Sequence, residues 1–430
     1  MEKHSFSVCV EFAGLMALAP WLLFPTRFPL ETAAALGGLV LVWGSTTVLR
    51  GEVWPRSRLN GALLFFVPAV GMGILISPLP ELTLPKATGL ILGLAVFRAV
   101  AAARTPLLQR LALAGFVLVG LTILVGGFLG AAWMAKVPAW QAFLERIPQR
   151  LLRLPEAPAD GIHPNELAGA LQLYLPLPVS ALLSWRPAWR RLPAALLALG
   201  GGALVGGTLL LTQSRGGWVG GAVGLVTLLL VKAWPQSDRR IRRLAVALLL
   251  GILLVGGVAL AWARPGWLDQ AAEAAAGQAL DTPVGTITLQ GRIELWSRAV
   301  AALADFPLTG CGLGTFRGIV QLLYPLRLTA PAVDVAHAHN TLLQVYLDVG
   351  LPGLVGYLAL LGSAAGLVVG SRGPGAAADW LGPGLLAGLV GLHVYGLTDT
   401  LALGSKPALA FWLALGLLST WSGRQSRAVS

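Results

Sequence analysis

Charge is what this sequence has least of. Asp, Glu, Lys and Arg make up 12% of its 430 residues, about half the share of an ordinary soluble domain. So few charged side chains cannot cover a water-facing surface, and with 56% hydrophobic residues and a mean hydropathy of +0.75 a soluble globular protein is excluded. Cysteine is nearly absent. Cys9 falls in the first apolar run and Cys311 in a polar loop, which excludes a disulfide framework and leaves two free thiols. Histidine is also rare, and no Cys or carboxylate cluster stands at ligand spacing from His337 and His339, so neither a metal nor a cofactor is expected. Acidic residues are outnumbered by basic ones, 19 to 31, a net charge of +12. In a soluble chain that excess would suggest nucleic acid. Here the basic residues occupy short gaps between apolar runs, so they read as topology signals and anchors to membrane lipids, with no nucleic-acid partner.

What the sequence has in abundance is apolar runs. A bilayer core of about 30 Å needs roughly 20 apolar residues in a helix, and about twelve such runs can be marked, including ones near 61–78, 165–184, 244–263, 351–370 and 405–421. The fold class this predicts is an all-α polytopic membrane protein of about 12 transmembrane helices with a large extracytoplasmic loop subdomain. Residues 1–133 hold helices 1–5, and 134–163 form an outward segment whose Trp140, Phe143, Leu144, Ile147, Leu151 and Leu152 suit an amphipathic surface helix. Residues 164–263 hold helices 6–9. Residues 264–350 form a large polar loop, and 351–430 hold helices 10–12 with a tail. With the amino terminus in the cytoplasm, inward segments hold 17 basic residues and the short outward loops only Arg27, Lys86, Arg215 and Lys406. Both termini are therefore expected in the cytoplasm. Glu11, in the first run, is an ionisable group that must face protein or water.

Given that orientation, the polar residues with chemical potential gather on the outward side: His163, Asn165, Arg215, Arg292, His337, His339, Asn340 and Asp399. The most specific segment is AHAHNTLLQVYLDVGLPGLVGYL, in which His339 and Asn340 are followed by nine residues, then Gly350, two residues and Gly353. This spacing resembles the signature of the O-antigen ligase and O-antigen polymerase superfamily of bacterial membrane glycosyltransferases. QSRGGWVGG around Arg215, GRIELWSRAV with Arg292, DFPLTGCGLGTF from Asp305, HPNELAGAL from His163 and HVYGLTDT containing Asp399 support it. The resemblance spans roughly residues 160–405. Leu354 stands where the family often has a small or β-branched residue.

The resemblance implies a GT-C-like fold in the bacterial cytoplasmic membrane. It implies transfer of a glycan from undecaprenyl diphosphate to a hydroxyl of a glycan or glycolipid acceptor, such as lipid A core, on the outer face and with inversion, without nucleotide sugar or metal. The residue types fit. Arg215 and Arg292 offer planar forks of donors for the diphosphate. His339 is the candidate base, since neutral imidazole can take a hydroxyl proton near neutral pH; His337, two residues away, is the alternative base. Asn340, Asp399 and Asn165 are supporting candidates: Asp399 to orient His339 or hold an Arg, Asn165 to bind sugar or to act in a helix start. Arg292 could instead pair with Glu294 or Asp305. Two other functions stay open, a polymerase that joins carrier-linked repeats and a polytopic solute or lipid transporter, although a transporter usually carries its coupling charges near the midplane.

Overall fold

The computed structural model describes residues 2–131, 133, 146, 162–184, 192–233, 289–328, 334–370 and 379–427. Its helices in chain order are α1 (Glu2–Leu23), α2 (Pro29–Arg50), α3 (Asn60–Leu75), α4 (Pro80–Ala101), α5 (Pro106–Gly130), α6 (Pro164–Leu171), α7 (Pro176–Leu183), α8 (Leu192–Leu211), α9 (Arg215–Ala233), α10 (Leu289–Asp305), α11 (Phe316–Leu323), α12 (Thr341–Val369), α13 (Leu381–Tyr395) and α14 (Leu409–Arg427). Proline opens α2, α4, α5, α6 and α7, where its missing N–H has no intrahelical partner to lose. Among the described residues the β pairing is one isolated bridge, Ala131 to Ile162.

Among the described residues, eight segments are long and apolar enough to cross a membrane: α1, α2, α4, α5, the α6–α7 pair, α8, α9 and α12. α3, α13 and the segment Lys406–Thr420 are shorter apolar helices. These account for eleven of the twelve predicted runs; the run near 244–263 lies outside the described residues, as does most of the predicted amphipathic segment 134–163. Two runs differ in form. The run at 165–184 is divided, because Pro176 cannot donate back to Gln172 and the chain turns there before α7 starts. The run placed at 351–370 is the second part of a helix that starts ten residues earlier, at Thr341.

α12 organises the end of the fold at which it begins. At Gly350 its backbone takes φ 69° and ψ −177°, which kinks the helix, and a Cβ there would stand 2.0 Å from the Leu308 carbonyl oxygen. Only glycine tolerates this backbone and this approach. Nine helical residues separate Asn340 from the kink, so the start of α12 is held about 14 Å beyond it at 1.5 Å per residue. The motif spacing is thus a fixed length of helix with a bend at its foot. Gly350→Ala is expected to destabilise the protein by more than the 1–3 kcal/mol that such a backbone alone costs, since the clash adds to it. Thermal unfolding in detergent would check this, an unchanged midpoint contradicting it.

The main apolar core runs through α3, α4, α12, α13 and α14, around the fully buried Trp412. A second, smaller core belongs to the loop subdomain: Leu295, Ala299 and Ala302 of α10 pack with Phe316 and Val320 of α11, Ala338, and Leu343 and Leu347 of α12. This ties the part of segment 264–350 that the structure describes to the first turns of α12. At the other end, Glu11 is buried between Arg50 and Arg98 and forms an ion pair with each. It therefore faces protein within the α1–α2–α4 group.

Candidate active site

The residues singled out above meet at one end of the bundle, where α3, α5, α8 and α13 finish and α4, α6, α9 and α12 begin. Capping brings them there. The Asn340 side chain accepts from the backbone N–H groups of Leu342 and Leu343, both at 3.0 Å, as an N-cap residue does, and its amide donates to the Leu397 carbonyl at 3.1 Å. Thr341 N–H donates to the Gly396 carbonyl at 2.6 Å. The start of α12 is thereby fastened to the turn that follows α13, and that turn carries Asp399.

His339 sits between two anchored neighbours. Ala338 donates its N–H to Gln344 at 2.9 Å and accepts from the Trp296 indole at 3.0 Å, while Asn340 caps the helix. The residue between them absorbs the change of direction, and His339 has φ 47°, the left-handed region that few non-glycine residues enter. Its Nδ1 lies 3.1 Å from Asp399 Oδ1. An ionised carboxylate only accepts, so Nδ1 carries the proton and Nε2 is left with a free lone pair.

Asp399 is the hub. Its Oδ1 also accepts from the Thr400 N–H at 2.9 Å, and its Oδ2 accepts from the Asn165 amide at 3.1 Å and lies 3.6 Å from Arg292 Nη2. Burial pushes this carboxyl up, but the hydrogen bond and charge of His339, then the charges of His337 and Arg292, outweigh burial and hold it well below the usual carboxylate range. Asn165 is positioned by α6, whose start His163 caps by accepting from the Asn165 N–H at 3.2 Å. The Asn165 carbonyl accepts from the Tyr395 hydroxyl at 2.7 Å. Sequence reasoning did not single out Tyr395; a tyrosine at the end of an apolar run carries no signal of its own.

Arg292 pairs with Asp399 across 107 positions of sequence. Its two expected local partners are engaged elsewhere, Glu294 with the Leu328 N–H at 3.0 Å and Asp305 with the Tyr324 hydroxyl at 2.6 Å. The helix that bears Arg292 starts three residues before it, at Leu289. The contact with Asp399 is long for a hydrogen bond, and Arg292 Nε is buried without an acceptor. Arg215 is the exposed first residue of α9. Its neighbour Gly216 lies against the same turn, since a Cβ there would stand 2.6 Å from Thr398 Oγ1.

His337 is beside His339, with ring centroids 4.3 Å apart, and its Nε2 is 3.9 Å from Asp399 Oδ1. Burial, then the charge of His339, push it down to about 3 against the pull of Asp399. In the unfolded chain the ring gains a proton below about 6.5, whereas the folded protein resists this until about 3. The folded state is therefore expected to lose stability as pH falls through that window. The unfolding midpoint of the wild type should drop more steeply than that of His337→Asn between pH 6.5 and 4; parallel slopes would contradict the assignment.

No carboxylate accompanies the two histidines in sequence, yet the fold supplies Asp399, and His337, His339 and Asp399 offer donor atoms all within 4.8 Å of one another. Such a grouping has the size of a divalent-cation site. The Arg292 guanidinium, however, already brings a fixed positive charge to the same carboxylate. Cys311, the nearby thiol, is buried, and burial followed by the charges of Asp348 and Asp305 pushes it up to about 12, so it is no nucleophile at neutral pH.

A family model described as O-antigen ligase matches residues 200–358. The matched stretch contains Arg215, Arg292, His337, His339, Asn340, Gly350 and Gly353, and the resemblance to the O-antigen ligase and polymerase superfamily holds over it. Asn165 and Asp399 lie beyond its two ends and reach the same site through the fold. The match supports a function of the O-antigen ligase and polymerase type, and the apolar helices indicate a multi-pass membrane protein. No curated protein matches the chain.

Proposed function

We propose, from the O-antigen ligase domain at residues 200–358, that this protein transfers a glycan from undecaprenyl diphosphate to a hydroxyl of lipid A core or another surface glycan, on the outer face of the bacterial cytoplasmic membrane. The observation that carries the reading is the shared carboxylate: Asp399 holds the base candidate His339 at 3.1 Å and the diphosphate candidate Arg292 at 3.6 Å. One group thus sets the distance between the proton acceptor and the cation that must act on the same substrate, and Arg215 flanks the same turn.

The chemistry follows from those positions. Arg292 and Arg215 bind the diphosphate through charge-assisted hydrogen bonds. His339 Nε2 takes the proton of the acceptor hydroxyl while that oxygen attacks the anomeric carbon. The bond from this carbon to the diphosphate oxygen breaks, and the carrier diphosphate leaves as an anion that the arginines stabilise. Attack opposite the leaving group inverts the anomeric centre. Asp399 keeps the imidazole in the tautomer with Nε2 free and stabilises the imidazolium that forms. The arginines supply the positive charge that a metal supplies in many phosphate-handling enzymes. His337 is the poorer base, because a ring that gains a proton only near pH 3 has little drive to accept one from a hydroxyl.

The test is mass analysis of the product formed by purified protein given one labelled carrier-linked oligosaccharide and a choice of acceptors. A ligase forms a product on lipid A core or another terminal glycan. Extension of the carrier-linked oligosaccharide itself would mark a polymerase, and no covalent product at all would sink the transferase reading.

A further inference from the structure

The loop subdomain buries part of its apolar side chains in its own core and leaves others bare. Phe306 is 39%, Leu308 66%, Leu322 79% and Leu323 60% exposed. Apolar residues scattered singly over a surface need no explanation, but these belong to one place. The Tyr324 hydroxyl donates to Asp305 at 2.6 Å, which joins the end of α10 to the end of α11. Phe306 and Leu308 follow the first partner, and Leu322 and Leu323 precede the second.

Direct contacts fix the level of this patch in the bundle. The turn between α3 and α4 joins two apolar helices, and irregular backbone facing lipid has to lie at the boundary of the hydrocarbon. α11 is fastened to that turn. Ser77 Oγ is 2.9 Å from Thr315 Oγ1, Thr83 donates to the Leu313 carbonyl at 2.8 Å, and a Cβ on Gly318 would stand 2.3 Å from Leu79 Cδ1. Leu308 reaches the same boundary by a second route. Its carbonyl oxygen lies against Gly350, and Leu351 donates its N–H to the Pro307 carbonyl at 3.2 Å. From Leu351 α12 continues to Val369, about 28 Å at about 1.5 Å per residue, which matches a hydrocarbon core of about 30 Å.

α11 turns an apolar face toward that boundary. Gly318, set against Leu79, and Leu322 lie one helical turn apart and share a face. Arg317 stands about 140° from Leu322 around the helix and forms an exposed ion pair with Asp334. Phe316 and Val320 fill the sector between them, in the core of the subdomain. α11 thus has a core face, a charged face, and a third, apolar face that the described residues leave open.

We propose that α11 and the segment 306–308 form a monotopic membrane anchor, in which Phe306, Leu308, Leu322 and Leu323 enter the boundary between lipid headgroups and acyl chains. The partner is the bilayer itself, because the patch runs on into the exposed apolar surface of a spanning helix: Leu351, bonded to Pro307, and Val355 one turn further along α12. The anchor does not depend on the transfer reaction. It bears on the site all the same, since Phe316 and Val320 share a core with Leu343 and Leu347 of α12 and so tie the helix that follows His339 to the lipid surface.

The experiment uses the full chain in nanodiscs of phosphatidylethanolamine and phosphatidylglycerol, with the exposed Cys9 replaced by serine and the buried Cys311 retained. A nitroxide attached in Leu308→Cys or Leu322→Cys is compared, by power saturation with oxygen and with a water-soluble nickel chelate, with one in Leu358→Cys on the spanning part of α12 and one in Asp334→Cys. The anchor predicts an oxygen-to-nickel accessibility ratio at positions 308 and 322 several-fold above that at 334 and approaching that at 358. A ratio at either position equal to that at 334 puts the patch in water and overturns the proposal. Shielding from both reagents overturns it too, since protein, a second copy or another segment of this chain, would then cover the patch. Where either label lowers the unfolding midpoint, Phe306→Cys or Leu323→Cys takes its place and is read in the same way.

Discussion

Replacing His339 by alanine is expected to lower kcat about 10²- to 10⁴-fold, the usual contribution of a positioned general base, with donor and acceptor KM little changed. The physical ground is the free lone pair on Nε2. Of its neighbours, His337 resists protonation until about pH 3 and Asp399 is committed to four partners. Alanine also has to adopt the left-handed backbone of His339, so part of any loss in that variant comes from strain. His339→Asn separates the two effects, because asparagine enters this region with less penalty yet has no basic nitrogen. Both variants should be equally inactive, and free imidazole should restore part of the activity of the alanine form. Full activity in the asparagine variant with an unchanged unfolding midpoint would remove His339 from the chemistry.

Asp399→Asn is expected to cost a comparable factor, about 10²- to 10⁴-fold in kcat/KM, but with a different signature. The amide keeps the shape of the side chain while losing the charge that selects the His339 tautomer and that attracts Arg292. Removing one member of such a constellation affects the groups that depend on it together. Donor KM should therefore rise along with the fall in kcat, whereas the His339 variants change kcat alone. An Asp399→Asn enzyme whose loss is confined to kcat would show that Arg292 is placed independently of Asp399; one with no loss would contradict the hub.

Some of this was open to inspection in the letters. Apolar length set the class of the protein, because a helix must bury about 20 residues to cross a bilayer whatever its tertiary context, and α3 occurs close to where hydropathy put it. The spacing from His339 to Gly350 and Gly353 was legible for a related reason: a capped helix of nine residues and a glycine kink are local devices with local requirements. Asn340 was read as a supporting group, and its capping of α12 is local as well. The division of α6 from α7 was harder to foresee, since membrane helices often contain proline without breaking.

What hydropathy and spacing could not give was who meets whom. Arg292 had acidic residues within its own segment, and a local reading offered Glu294 and Asp305; the fold sends both elsewhere and brings in Asp399. The same carboxylate joins the two histidines and Asn165. Apolar character and helix capping depend on interactions within a few residues, so the sequence by itself determined them. The shared carboxylate depends on which helix ends lie side by side, and that is decided by packing of glycine-lined faces and loops against one another, contacts between residues tens to hundreds of positions apart that only the tertiary structure creates.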